Sequence, residues 1–349
     1  MALSIKNSKK AVLTCLEAGL TPILKGQPGI GKSAIMKEVA GHLQLKLIDV
    51  RLAQCEPTDI LGFPNLDREK GKASYMPMDT FPLETDSLPL DNKGKEMNGF
   101  LLFLDELPNA STAVQIAAYR LILDREVGNH KLHPNCLIAA AGNREEDACF
   151  VQEMPAALKS RMVHLELEMN YHDWIDHAIK QGFDYRVVSF IGFAPDKLHS
   201  EFVDSDEPTY ASPRTWEFVS KLIDGKTDLD DPVMRQILNG TVSSPVTTEF
   251  LSYIKYFDKV ASYKDIVANP KTAICPDQFD IGLIWATIAM LNNSFKLKDL
   301  GKVMTYVDRL PEEYQLIFVK YLATAYPSQI LDHEDMVEWV DKIVGMLWS

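Results

Sequence analysis

One run of eight residues, Gly26-Gln27-Pro28-Gly29-Ile30-Gly31-Lys32-Ser33, constrains this chain more than any other feature. It satisfies the pattern G-x-x-x-x-G-K-[ST] and stands between a short apolar run at 22–25 and a 3.6-period pattern over 32–43. That context predicts a strand, a phosphate-binding loop and a helix, in that order. Glycines let backbone N–H groups turn toward a β-phosphate, and the following helix points its positive N-terminal end at the same anion. In this reading the eight residues form the cradle, Lys32 reaches the β- and γ-phosphates, and the Ser33 hydroxyl binds Mg²⁺. A glycine-rich turn that merely caps a helix is the plain alternative, and the strand before it and helix after it count against that.

The first half of the chain alternates apolar runs with helical patterns, as a sheet wrapped by helices requires. Strands are expected at 22–25, 45–50, 100–104, 136–141 and 162–167, with helices at 32–43 and 112–124. The second of these helices turns Val114, Ile116, Ala117, Tyr119, Leu121 and Ile122 toward a buried face. The fold class is therefore α/β, a three-layer parallel-sheet domain over 1–170. Residues 66–99, rich in Asp, Lys, Gly and Pro, read as an inserted loop or hairpin. After Asn170 helical signals take over, at 171–181, 185–193 and 215–223, and again at 279–291 and 314–326. This divides the remainder into a helical domain at 171–265 and a C-terminal helical extension at 266–349.

The run Phe100-Leu101-Leu102-Phe103-Leu104 has the continuous apolarity of a strand buried on both faces, and it ends in Asp105-Glu106. Ligands of open α/β sheets bind beyond the carboxyl ends of the strands. Asp105 is thus expected beside the phosphate loop, helping to hold Mg²⁺, with Glu106 polarising an attacking water as general base. A solvated acidic strand end is the rival reading.

Composition excludes several classes. A formal net charge of -13 repels a phosphate backbone, and the Lys9-Lys10 pair is too short to offset it, so nucleic-acid binding is disfavoured. The cysteines, Cys15, Cys55, Cys136, Cys149 and Cys275, show no C-x-x-C spacing, which suggests neither a disulfide framework nor a zinc knuckle. No run of about eighteen uncharged apolar residues occurs, and the first residues are broken by Lys6, Lys9, Lys10 and Glu17. A cytoplasmic protein without a membrane span is the expectation.

In their order these features resemble the AAA+ ATPases, specifically the MoxR family and its dynein-related relatives, over roughly residues 22–221. Pro57-Thr58-Asp59-Ile60-Leu61-Gly62 resembles the family segment ending in D-x-x-G. Leu104-Asp105-Glu106-Leu107, with Gln115 and Asp124-Arg125 behind it, resembles the family's acidic strand end. Family members usually carry Asn-Arg where Pro108-Asn109 stand here, so any role of that arginine is absent or has moved. Ala139-Ala140-Ala141-Gly142-Asn143 looks like the sensor 1 strand, which implies that Asn143 positions the water; an amide can donate to phosphate and accept from water at once. Taken alone, Asn143 also reads as a turn residue.

Met154-Pro155-Ala156-Ala157-Leu158-Lys159-Ser160-Arg161-Met162 resembles the family's L-P-x-A-x-x-x-R-F segment, which implies that Arg161 is an arginine finger for a neighbouring subunit. An arginine there could equally stabilise the preceding helix's C-terminal end. Ser212-Pro213-Arg214-Thr215-Trp216 resembles sensor 2 of the family's helical lid and reads as a helix start, with Ser212 as N-cap. Arg214 then sits at the unfavourable end of a helix dipole unless an anion is near; a merely exposed arginine is the alternative.

What the resemblance implies is an AAA+ P-loop domain with a lid at 171–265, binding ATP with Mg²⁺ and hydrolysing it in a homo-hexameric ring. A remodelling or chaperone-type role follows from it, with a von Willebrand factor A domain protein as partner. A DNA-processing motor or loader subunit shares every motif and stands as the rival. His130 and His133 lack metal-ligand spacing, the acidic stretch 224–231 reads as a solvated loop, and the aromatic and methionine residues of 314–326 and 336–348 read as helical core.

Overall fold

Alternate residues of the strand 100–104 face different helical layers, and this organises the whole first half of the molecule. In the computed structural model, which describes residues 2–67, 71–144, 154–200 and 207–326 together with Ile330 and Trp339, this strand is β5, Gly99–Asp105. The expectations for Cys149 and for most of 336–348 lie outside the described residues. Before β5 come α1 (Ile5–Glu17), β1 (Thr21–Lys25), α2 (Lys32–Leu43), β2 (Leu45–Arg51), α3 (Pro57–Leu61), β3 (Phe63–Asp67) and β4 (Lys72–Met76). After it come α4 (Thr112–Leu123), β6 (Glu126–Val127), β7 (His130–Lys131), β8 (Cys136–Gly142), α5 (Ala156–Lys159) and β9 (Met162–Glu166).

Five strands form one parallel sheet in the order β2-β5-β8-β1-β9. On one face Leu101, Phe103, Ala139 and Leu24 join Val12 and Leu16 of α1 and Met36 and Val39 of α2. On the other, Leu102, Leu104, Ile138 and Ile23 join Val114, Ala118 and Leu121 of α4. A strand covered on both sides has no solvated face, which is why β5 reads as an unbroken apolar run. Full burial of each large aliphatic side chain contributes roughly 1.5–3 kcal/mol, so the central strands anchor the layer.

The expected strands agree to within a residue or two at each end. Along α4 the structure corrects one side chain: Ile116 is 58% exposed. The buried stripe is Val114, Ala117, Ala118 and Leu121, the i, i+3, i+4, i+7 set, and Ile116 falls outside it. The 66–99 region opens with an antiparallel hairpin, β3 paired with β4, whose first strand begins at Phe63. Helix α1 is not among the expected elements; its N-cap Ser4 accepts from the Asn7 N–H.

Residues 1–170 and 171–349 are two compact units. The second contains α6 (Tyr171–Lys180), α7 (Tyr185–Phe193), α8 (Pro213–Ile223), α9 (Pro232–Val242), α10 (Ser244–Ile254), α11 (Tyr263–Ala268), α12 (Ile281–Ser294), α13 (Leu300–Val307) and α14 (Glu312–Ala325). Phe190, Trp216 and Phe250 form a mutually contacting aromatic cluster that joins α7, α8 and α10. Arg186 locks α7 to the end of α8: it pairs with Asp184 at 2.7 Å and donates to the carbonyls of Ile223 and Lys226. Phe279, expected to open an apolar helix face, lies ahead of α12 and is 82% exposed. Among the described residues no helix is long and apolar enough to cross a membrane.

Candidate nucleotide site

The loop after β1 turns into α2 through two glycines in the left-handed region, Gly29 at φ 77° and Gly31 at φ 100°. Residues with a Cβ adopt such angles at a cost of roughly 1–2 kcal/mol, so the pattern's glycines at these positions follow from backbone geometry. Gly31 caps α2 without a side chain, leaving the first N–H groups of the helix to face the loop's concavity.

Two side-chain contacts bring the motifs together. The Lys32 ammonium donates to Asn143 Oδ1 at 2.9 Å, and also to the carbonyls of Gly26 at 2.6 Å and Gln27 at 3.0 Å. The Ser33 hydroxyl donates to Asp105 Oδ2 at 3.0 Å. Residues 111 positions apart in one pair and 72 in the other thus meet at the carboxyl edge of the sheet. The other oxygen of Asp105 accepts the Glu106 N–H at 2.9 Å. Glu106 itself has φ 58°, a left-handed angle uncommon for a side chain of its kind, and starts a tight turn in which the Asn109 N–H reaches the Glu106 carbonyl.

This donor set suits a hydrated Mg²⁺: a hydroxyl and a carboxylate are hard oxygen ligands of the type magnesium takes. The glycine turns and the lysine suit a polyphosphate. Chemically, the arrangement can hold a phosphate chain between backbone N–H groups and a cation, with a carboxylate, Glu106, one residue from the oxygen pair.

Three features here escaped the sequence reading. Arg51 lies opposite Asp105 in the β2–β5 register, two residues beyond Asp49 on the same strand. Burial, and then the charge of Asp105, push the Asp49 carboxyl above its ordinary value, while Arg51 pulls it down. Counting in twos puts Asp49 and Arg51 on one face of β2, but only the register sets them beside Asp105. The third is a contact: a Cβ built on Gly142 would stand 2.2 Å from Pro108 Cδ. Pro108, at the position where the family pattern has another residue, therefore packs on backbone next to Asn143.

Not every expected residue joins the cluster. Arg161 is exposed and donates to Ser160 Oγ at 3.1 Å. In the register Met162 stands opposite Thr21, so Arg161 lies at the start of β9, whereas the phosphate loop follows the far end of the five-residue β1. At ~3.3 Å per residue the separation along the strand is about 17 Å, beyond an arginine's reach within its own chain. Arg214 belongs to the second unit, in the first turn of α8, exposed, with Ser212 capping that helix as expected.

Residues 22–162 match the family described as AAA domain (dynein-related subfamily). No curated protein matches the chain. Among solved structures, the RuvB Holliday junction branch migration motor of Thermotoga maritima is similar at 16% identity, covering 76% of this chain and 74% of that one, with a TM-score of 0.37. NtrX from Brucella abortus in complex with ATP is similar at 11% identity, covering 99% and 68%, with a TM-score of 0.41. Likeness at these levels carries no weight for function. The matched segment contains the phosphate loop, the acidic pair, Asn143 and Arg161, and over it this chain is similar to the AAA domain of the dynein-related subfamily and has the P-loop NTPase fold.

Proposed function

We propose that this chain binds ATP with Mg²⁺ and hydrolyses it as a MoxR-like, ring-forming remodelling ATPase. The observation that carries the reading is the paired contact of Lys32 with Asn143 and Ser33 with Asp105, which gathers three separate motifs at one edge of the sheet. Backbone N–H groups of 26–33 hold the phosphate chain and Lys32 neutralises the β- and γ-phosphates. Ser33 and Asp105 hold the magnesium ion, which when bound neutralises charge on the phosphate oxygens. Glu106 accepts the proton of the attacking water, and Asn143 orients that water against the γ-phosphate.

Arg161 completes the site of a neighbouring copy in a homo-hexamer, a role favoured by its exposure and its distance along the sheet from its own loop. Arg214 contributes from the helical lid at 171–265, and 266–349 forms the C-terminal extension. A protein client is favoured over nucleic acid by the net charge of -13; a von Willebrand factor A domain partner rests on the resemblance alone. The deciding experiment is ATP titration of the Lys32→Ala protein, verified as folded. Loss of tight binding is expected, because the loop's cation is gone, and unchanged affinity would overturn the assignment.

A further inference from the structure

A glutamate keeps a left-handed backbone only where its surroundings over-determine it, so the turn that starts at Glu106, φ 58°, must be held from outside. Within the turn two hydrogen bonds close, from the Asn109 N–H to the Glu106 carbonyl at 2.9 Å and from the Ala110 N–H to the Leu107 carbonyl at 3.3 Å. These make residues 106–110 one unit. Strand β5 leads into it, and at its middle Pro108 sits on Gly142, whose carbonyl accepts from the Gly26 N–H of the phosphate loop at 3.3 Å. The turn is thereby registered to the loop at one point.

Its far end needs a second anchor. Ala110 is fully buried, so its carbonyl must find a donor inside the protein. Among the described residues that donor is the Gln115 side-chain amide, four residues into α4, at 3.1 Å. Glutamine is a costly choice at this place. It is 1% exposed, on a helix whose other buried residues are Val114, Ala117, Ala118, Leu121 and Ile122, and its Oε1 has no hydrogen-bond partner. A buried amide lowers stability unless its polar atoms are bonded, and here the oxygen goes unbonded. Packing alone asks for an apolar side chain at 115; a donor aimed at the Ala110 carbonyl asks for this one.

We propose that Gln115 is a positioning residue for Glu106. Its amide pins the far end of the turn as Pro108 pins the middle, and the internal bonds of 106–110 pass that constraint back to the Glu106 backbone. Gln115 acts through the main chain and makes no contact with a reacting atom. The proposal rests on the reading of Glu106 as the general base.

The test compares the full chain with Gln115→Met, which keeps length and volume and loses the donor. Amide hydrogen exchange without nucleotide reads the turn itself, and the peptide spanning 106–111 should exchange about fivefold faster in the variant. Steady-state ATPase assays read the consequence: kcat should fall on the order of 10-fold to 10²-fold, with KM for ATP within about twofold, because the phosphate loop is untouched. A merely structural loss would raise KM as kcat falls. If Gln115→Met does not fold, Gln115→Asn, whose amide stops one methylene short of the carbonyl, takes its place in both measurements. Unchanged exchange over 106–111, unchanged kcat in the folded variant, or a rise in KM as large as the fall in kcat overturns the proposal and leaves the reading of Glu106 standing. An unaltered chain without ATPase activity, or full activity in Glu106→Gln, overturns that reading and the proposal with it.

Discussion

Replacing Gly142 by Ala puts the Pro108–Gly142 contact to a quantitative test. The added Cβ would lie 2.2 Å from Pro108 Cδ and 2.4 Å from Cγ, whereas ordinary contact begins at 3.4 Å, so the two segments must part by about 1.2 Å. Gly142 is not among the residues with positive φ, so the effect is steric rather than conformational. Overpacking of this size costs about 1–3 kcal/mol, which for a unit of this size lowers Tm by about 3–10 °C. The functional loss should be larger in proportion. Pro108 follows Glu106 by two residues and Gly142 precedes Asn143, so the opening moves the proposed base away from the proposed water-orienting amide. Misplacement by about 1 Å costs on the order of 10² in rate. Steady-state ATPase assays and thermal unfolding should be measured on Gly142→Ala, Pro108→Ala and the double variant. Because Pro108→Ala removes the atoms that clash, the double variant should recover part of both losses, a coupling of roughly 0.5–3 kcal/mol. Wild-type kcat and Tm in Gly142→Ala would refute the reasoning.

Glu106→Gln should keep ATP binding and stop turnover, since the amide fills the same space without accepting a proton; undiminished ATPase activity would remove Glu106 from that role. Arg161→Ala should bind ATP normally and lose about three to five powers of ten in hydrolysis. Mixing it with Lys32→Ala subunits should restore measurable activity if the arginine acts across an interface, and full activity of Arg161→Ala alone would count decisively against the finger. Asp49→Asn should raise Tm at neutral pH. The Asp49 carboxyl is pushed above its ordinary 3.8, so the folded state holds that proton more tightly, and stability falls as pH rises through the interval between the two values. The advantage of the Asn variant should therefore vanish below about pH 3.8, as melting curves across pH would reveal.

Local pattern carried the sequence reading wherever the determinant is local. The helix at 32–43 is α2 residue for residue, because a left-handed Gly31 starts it and Gln44, also left-handed, stops it. Ser212 and Pro213 likewise announced the start of α8. Asp105 and Ser33 lie at one edge because a parallel strand order fixes which loop ends share it. What stayed hidden is non-local. Ile116 is apolar, and hydrophobicity alone does not say that it falls off the buried stripe of α4. The neighbourhood of Asp49 depends on the register of β2 against β5, which a single sequence leaves open. The seat of Pro108 on Gly142 depends on two loops meeting. The acidic stretch at 224–231 shows the same limit in miniature: Asp231 caps α9 through the Val233 and Met234 N–H groups, and Asp230 pairs with Arg235 at 2.6 Å, so part of that charge is structural.

The left-handed backbone of Glu106 has a consequence for how this position can evolve. Glycine, asparagine and aspartate are the residues that occupy such angles readily, and a glutamate does so at a conformational disadvantage. The fold therefore does not ask for glutamate here; on backbone grounds alone it favours its replacement. In a descendant copy released from turnover, substitution toward glycine or asparagine at 106 would meet little resistance from folding, while the apolar residues of β5 beside it would stay fixed by the core. A glutamate that persists at 106 across descendants would thus record continued selection on chemistry rather than on stability.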